Sequence, residues 1–189
     1  MPHDAFISYS HADDGKLAPA LQQGLEQLAK PWWRLRALRV FRDETNLSAS
    51  PQLWQSIVDE LSQARWFLLL ASVQAARSQW VMREVEWWLA NRSPARLLIL
   101  VTSGELTWDE AASDFEWSRT TALPSVLSGT FQAEPHFIDV RDLKGVTTLT
   151  LKHTGFRAAV LKIAAPLHGR SPDEMDGDAV RAHARNRRW

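Results

Sequence analysis

Trp66-Phe67-Leu68-Leu69-Leu70-Ala71 is a run with no polar side chain to turn towards water. A strand that is apolar at every position must be covered on both faces, and such strands belong to parallel sheets packed between helices. A second run, Leu97-Leu98-Ile99-Leu100-Val101, has the same character. Shorter β-prone stretches at 5–9, 38–41 and 136–140 bring the strands to five, with 65–71 and 96–101 as the third and fourth. Between them the apolar residues recur at helical spacing. Leu17, Leu21, Leu25 and Leu28 form one stripe, stopped at Pro31. Leu53, Trp54, Ile57, Val58 and Leu61 form another, opened by Ser50-Pro51 as cap and first turn. Phe156, Val160, Leu161, Ile163 and Ala164 form the last, closed by Pro166. Alternating strands and helices imply an α/β fold, a flavodoxin-like three-layer sandwich with a central five-stranded parallel sheet in the order 2-1-3-4-5. Its switch point lies between strands 1 and 3, where the connections leave in opposite directions and open a crevice at the carboxyl ends.

The helix after strand 3 carries the most unusual residue of the chain. At 100° per residue, Val81, Val85, Trp88 and Leu89 share the core face, while Arg83 and Glu86 point to water. Glu84 falls between Trp80 and Trp88 on the flank of the apolar face. A carboxylate held between indoles is partly desolvated, its pKa should rise, and such groups often mark sites. A boundary Glu paired with a nearby Arg is the plainer alternative. The fold places Glu84 one turn into the helix that borders the crevice, with Ser10-His11 and the loop from Ser72 to Trp80 beside it and the loop from Arg42 to Ser50 along the same edge.

Composition removes several classes of chemistry. The chain of 189 residues suits one domain, and 45% hydrophobic with 23% charged residues is enough for a core. Lys+Arg and Asp+Glu both number 22, so there is no overall pull towards nucleic acid or anionic membrane. The absence of cysteine excludes disulfides and thiolate chemistry, and the six histidines have no metal-ligand spacing, so no metal site is expected. The start resembles no signal peptide and no apolar run approaches the ~20 residues of a membrane span, so a cytoplasmic location is expected. The phosphate-binding and dinucleotide glycine motifs are absent, as is a nucleophile elbow. Ala71-Ser72 ends strand 3 where a phosphoacceptor domain of this fold would carry an Asp.

What remains is a crevice with one carboxylate, aromatic walls, small hydroxyls and Arg42-Asp43. One reaction suits a lone carboxylate. Cleavage of the nicotinamide–ribose bond of NAD+ releases a neutral base from a cationic ring, so the leaving group needs no proton and the usual acid partner is dispensable. A single carboxylate can orient the ribose hydroxyls and stabilise the positive transition state.

Three stretches resemble the Toll/interleukin-1 receptor (TIR) domains, with wording similar to bacterial members. Phe6-Ile7-Ser8-Tyr9-Ser10 resembles their first motif, Val40-Phe41-Arg42-Asp43-Glu44-Thr45-Asn46-Leu47 their second, and Ser78-Gln79-Trp80-Val81-Met82-Arg83-Glu84 the segment that bears the catalytic Glu in members that hydrolyse NAD+. The similarity covers roughly residues 3–165. It implies a TIR domain over 1–165 and a tail, 166–189, leading to a downstream region. By the resemblance Glu84 is catalytic, Trp80 stacks on the substrate ring, Ser10 and His11 contact the nucleotide, and Asp43, Leu47 and Ser48 lie in the loop that reshapes on activation. It also implies an NAD+ glycohydrolase releasing nicotinamide and ADP-ribose or a cyclic form, with NAD+ as substrate and no cofactor. TIR–TIR self-association would activate it in bacterial defence or signalling; no nucleic-acid partner is expected, and a membrane only if a downstream segment supplies one. The sequence departs from the pattern at Ser50, where a glycine is common, at Ser10, often basic, and at Ser48, acidic in some members. A non-catalytic TIR scaffold acting through homotypic contacts, and a nucleoside-processing transferase of similar fold, are the alternatives.

Overall fold

The computed structural model describes residues 2–28, 38–43, 50–171 and 173–175. Leu47, Ser48, the expected helix stop at Pro31 and the basic tail lie outside the described residues. The chain runs β1 (His3–Ser8), α1 (His11–Asp14), α2 (Leu17–Leu28), β2 (Val40–Arg42), α3 (Pro51–Gln63), β3 (Ala64–Ala71), α4 (Val73–Arg77), α5 (Gln79–Asn91) and β4 (Leu97–Val101). A two-residue hairpin, β5 (Trp108–Asp109) and β6 (Asp114–Phe115), precedes β7 (Phe137–Asp139) and α6 (Thr154–His168). The main sheet has the order β2-β1-β3-β4-β7, and every pairing in it is parallel. With β7 as the fifth sheet strand, this is the expected order, and the switch point falls between β1 and β3.

Strict alternation divides the core into two layers. Ala5, Ile7, Leu68, Leu70 and Leu100 pack under α2 and α6, against Leu21, Leu25, Phe156 and Val160. Phe6, Phe67, Leu69 and Ile99 pack under α3 and α5, against Ile57, Leu61, Val85 and Trp88. Helices α2 and α6 cross closely at Gly24, where a Cβ would stand 3.1 Å from both Phe156 and Val160. The segment 103–134, read as irregular with tucked-in tryptophans, is pinned by Asp114. Its carboxylate accepts from Trp117 Nε1 at 3.0 Å and Ser128 Oγ at 2.9 Å, while Trp108 and Trp117 pack on the α3–α5 layer.

Three local expectations are corrected. The stretch after β3 is not all loop: Ser72 Oγ accepts from Ala75 N at 3.0 Å and starts the short helix α4. Arg83 does not extend into water but lies over the rings of Trp54, at 4.1 Å, and Trp80, at 5.6 Å. Helix α6 does not close at Pro166, two residues short of its observed end. A proline near a helix C-terminus forfeits only one hydrogen bond, and burial of Leu167 carries the helix on to His168. Gly169 at φ 65° then terminates it, with Arg170 N donating back to Ala165 O at 2.9 Å.

Candidate active site

Helix α5 begins at Ser78, whose Oγ accepts from Val81 N at 3.2 Å. This cap fixes the helical phase, and the phase turns Val81, Val85 and Trp88 into the core and leaves Glu86 exposed. Glu84 goes further inward than the flank position expected from periodicity, with only 1% of its surface exposed. Neither of its carboxyl oxygens has a completed hydrogen bond among the described residues.

Two polar neighbours explain its setting. Asp43 follows β2 directly, and its backbone N donates to Ile7 O at 3.3 Å, which continues the ladder against β1. Its carboxylate accepts from Trp80 Nε1 at 2.5 Å and is itself buried, at 4% exposure. Ser8, at the end of β1, is fully buried, and its Oγ has no hydrogen-bond partner among the described residues. Burial is the chief reason that the Glu84 carboxyl is held well above its ordinary value of 4.5. The negative charge of Asp43 pushes it the same way, and the Ser8 hydroxyl opposes them. Ionisation of Glu84 is therefore disfavoured in the fold relative to a free carboxyl. Around this group, Trp54 meets Trp80 edge to face at 5.7 Å.

The structure brings Glu84, Trp80 and Asp43 together, and it adds Ser8, which periodicity marks only as a strand residue. Alternation is the signal that could have found Ser8: it shares a face with Phe6, whose ring stacks on Phe41 in the layer under α3 and α5. The next residue, Tyr9, faces the other layer. Its hydroxyl accepts from Arg42 Nη1 at 2.8 Å, and its ring lies 4.5 Å from that of His11. His11 is thus drawn towards the α2–α6 side, away from the Glu84 cluster. Ser10 stands before α1 as its cap, with no side-chain capping bond.

On that side lies a cavity of about 820 Å³, lined by His11, Lys16, Thr102 and Lys144 among others, and Glu84 is not part of it. Asp14 closes its floor at 3% exposure and accepts from Thr102 Oγ1 at 2.9 Å. Desolvation raises the Asp14 pKa to about 6, against the opposing pull of the Thr102 bond. Nothing in the sequence pattern singled out Asp14, because its burial depends on Thr102, 88 residues away.

A family model described as TIR domain matches residues 5–125. A protein of an Actinoplanes species named NAD(+) hydrolase ApTIR is 50% identical over 183 residues, which is 97% of this chain and 25% of that protein. The chain thus spans about a quarter of the length of that relative. Among solved structures, the flavodiiron core of Flv1 from Synechocystis superposes with a TM-score of 0.50 at 15% identity, over 86% of this chain and 35% of that one, a likeness of fold alone. The TIR domains of the activated Roq1 resistosome overlap on 52% of this chain and 57% of theirs, at 16% identity and a TM-score of 0.40.

Proposed function

This chain belongs to the TIR-domain family, and from that premise we propose that it is an NAD+ glycohydrolase, with Glu84 as the catalytic carboxylate. The observation that carries the reading is the buried pair formed by Glu84 and Asp43 at the switch point, with the Trp80 indole fixed beside it. A carboxyl that resists ionisation, held next to a second carboxylate, has one obvious complement, a cation. When the positive nicotinamide ring docks there, its charge favours ionisation of Glu84, whose proton leaves to solvent. The bond between ribose C1′ and the ring nitrogen then breaks with both electrons going to nitrogen, so nicotinamide departs neutral. The Glu84 carboxylate stabilises the positive charge left on the ribose. Water adds at C1′ and gives up a proton, yielding ADP-ribose; capture by the adenine of the same molecule would give a cyclic product. Trp80 presents its ring to the nicotinamide while its N–H holds Asp43 in place.

The relative named an NAD(+) hydrolase supports this reading at 50% identity. Glu84 is covered here, so substrate entry requires the cover to move, and self-association through TIR–TIR contacts is the proposed trigger. A role in bacterial defence or signalling is proposed with it. No described helix is long and apolar enough to cross a membrane. The same burial of Glu84 is the one observation favouring the second reading, a non-catalytic scaffold that works by homotypic contact. Nicotinamide release by the wild type, Glu84→Gln and Glu86→Ala, at high protein concentration and on a clustering support, decides between them. The expected result is turnover by wild type and Glu86→Ala and none by Glu84→Gln; turnover by Glu84→Gln would refute the assignment.

A further inference from the structure

The cavity on the α2–α6 side of the sheet has no part in the chemistry at Glu84, yet its lining mixes cations, hydrogen-bonding groups and apolar surface. Its volume of about 820 Å³ lies within the range of small-molecule sites and exceeds what one mononucleotide needs. Two cations line it: Lys16, just before α2, and Lys144, in the turn that follows β7. Neither has a carboxylate within ion-pair distance among the described residues; the charge of Lys144 reaches Asp14, and a second carboxylate, Asp13, also lines the cavity. The floor is the carboxyl of Asp14 beside the Thr102 hydroxyl, a pair that takes hydroxyl or N–H donors. The wall between them is apolar, from Leu17, Val140 and Leu149.

We propose that this cavity is a second ligand site, separate from the Glu84 site, for a phosphorylated nucleoside. Its phosphate would sit between Lys16 and Lys144, its ribose hydroxyls on Asp14 and Thr102, and its base against the apolar wall. Three observations converge on that class. Lysines serve as point charges for phosphate. A buried acidic side chain is the usual partner of a ribose diol. A flat base covers aliphatic surface that would otherwise face water. A bare anion would leave Asp14 unused, and an amine alone would leave both lysines unused. The inference does not rest on the glycohydrolase reading, because it uses other residues on the other side of the sheet.

Isothermal titration of the full chain with AMP tests it, beside adenosine and inorganic phosphate as the separate halves of the ligand. Saturable AMP binding is expected, with both halves weaker. The Lys16→Ala/Lys144→Ala double variant should bind roughly tenfold or more weakly, as expected for lost charge-assisted contacts. Glu84→Gln should bind as wild type. No saturable binding at millimolar AMP would overturn the proposal. So would binding that survives the double lysine substitution, or binding that Glu84→Gln abolishes, which would place the nucleotide at the other site. Far-ultraviolet circular dichroism of the double variant confirms that it folds, and nicotinamide release is scored separately, so each reading fails on its own measurement.

Discussion

Replacing Glu84 by Gln should make the protein more stable at neutral pH while removing the proposed activity. In the folded state Glu84 is 1% exposed, lacks a completed hydrogen bond among the described residues, and resists ionisation because of burial and the charge of Asp43. In the unfolded chain it ionises near 4.5. Folding above that pH must therefore take up a proton, and each further pH unit costs about 1.4 kcal/mol. The cost accumulates at that rate over every pH unit in which the folded carboxyl stays protonated while the unfolded one is ionised. The direction follows from the raised pKa: the contribution is complete below 4.5 and is lost as pH rises towards the folded value. Glutamine has nearly the same shape and cannot ionise, so the variant escapes this loss. Wild type and variant should unfold at similar urea concentrations near pH 4.5. Above pH 4.5 the variant's lead should grow by about 1.4 kcal/mol per pH unit until the wild-type carboxyl ionises. Urea titrations at several pH values measure this directly. The contribution of Asp14 ends near its folded pKa of about 6, so the slope above pH 6 isolates Glu84. Parallel slopes for the two proteins above pH 6 would refute the reasoning, because they would mean that Glu84 is already ionised in the fold.

Asp14→Asn should leave stability unchanged near pH 4 and raise it by up to about 3 kcal/mol at pH 7.5, since the wild-type carboxyl loses stability between 3.8 and about 6; urea unfolding at the two pH values reads the difference. The Asn oxygen can still accept from Thr102, so the bond across the cavity floor persists. Trp80→Phe removes the N–H that holds Asp43 and should cost about 1.5 to 3 kcal/mol, the range for a hydrogen bond to a charged group, together with most nicotinamide release; thermal unfolding and the release assay test the two parts. Gly24→Ala drives a methyl to within 3.1 Å of Phe156 and Val160; overpacking of about 1 to 3 kcal/mol, less about 1 kcal/mol gained from Ala in a helix interior, should leave a net cost of up to about 2 kcal/mol in a chemical denaturation. Glu86→Ala should change stability by less than about 0.5 kcal/mol, because Glu86 is exposed on the same helix.

The sheet was legible because burial on both faces leaves its mark in the strands themselves. Runs such as 66–71 permit only a central parallel strand, and helical stripes between them dictate the crossovers. The order followed, as did the crevice between β1 and β3. Helical phase alone set Glu84 apart from Glu86 and placed Val81, Val85 and Trp88 in the core. Periodicity assigns a residue to a face, but it cannot say what stands opposite. It therefore drew Arg83 as solvated, although Trp54 from α3 offers it a ring at 4.1 Å. Strand order set Ser10-His11 beside the same crevice as Glu84; in the structure the His11 ring lies 4.5 Å from that of Tyr9, which packs in the α2–α6 layer. Pro166 was read as a stop because local rules weigh the missing N–H and not the burial of Leu167. The raised pKa of Glu84 depends on burial and on Asp43, just after β2, against the opposing hydroxyl of Ser8 at the end of β1. The cavity floor needs Thr102 to meet Asp14 across 88 residues. Face and order are local properties that the chain carries in its own pattern, whereas charge state and cavity depend on groups that only folding brings together.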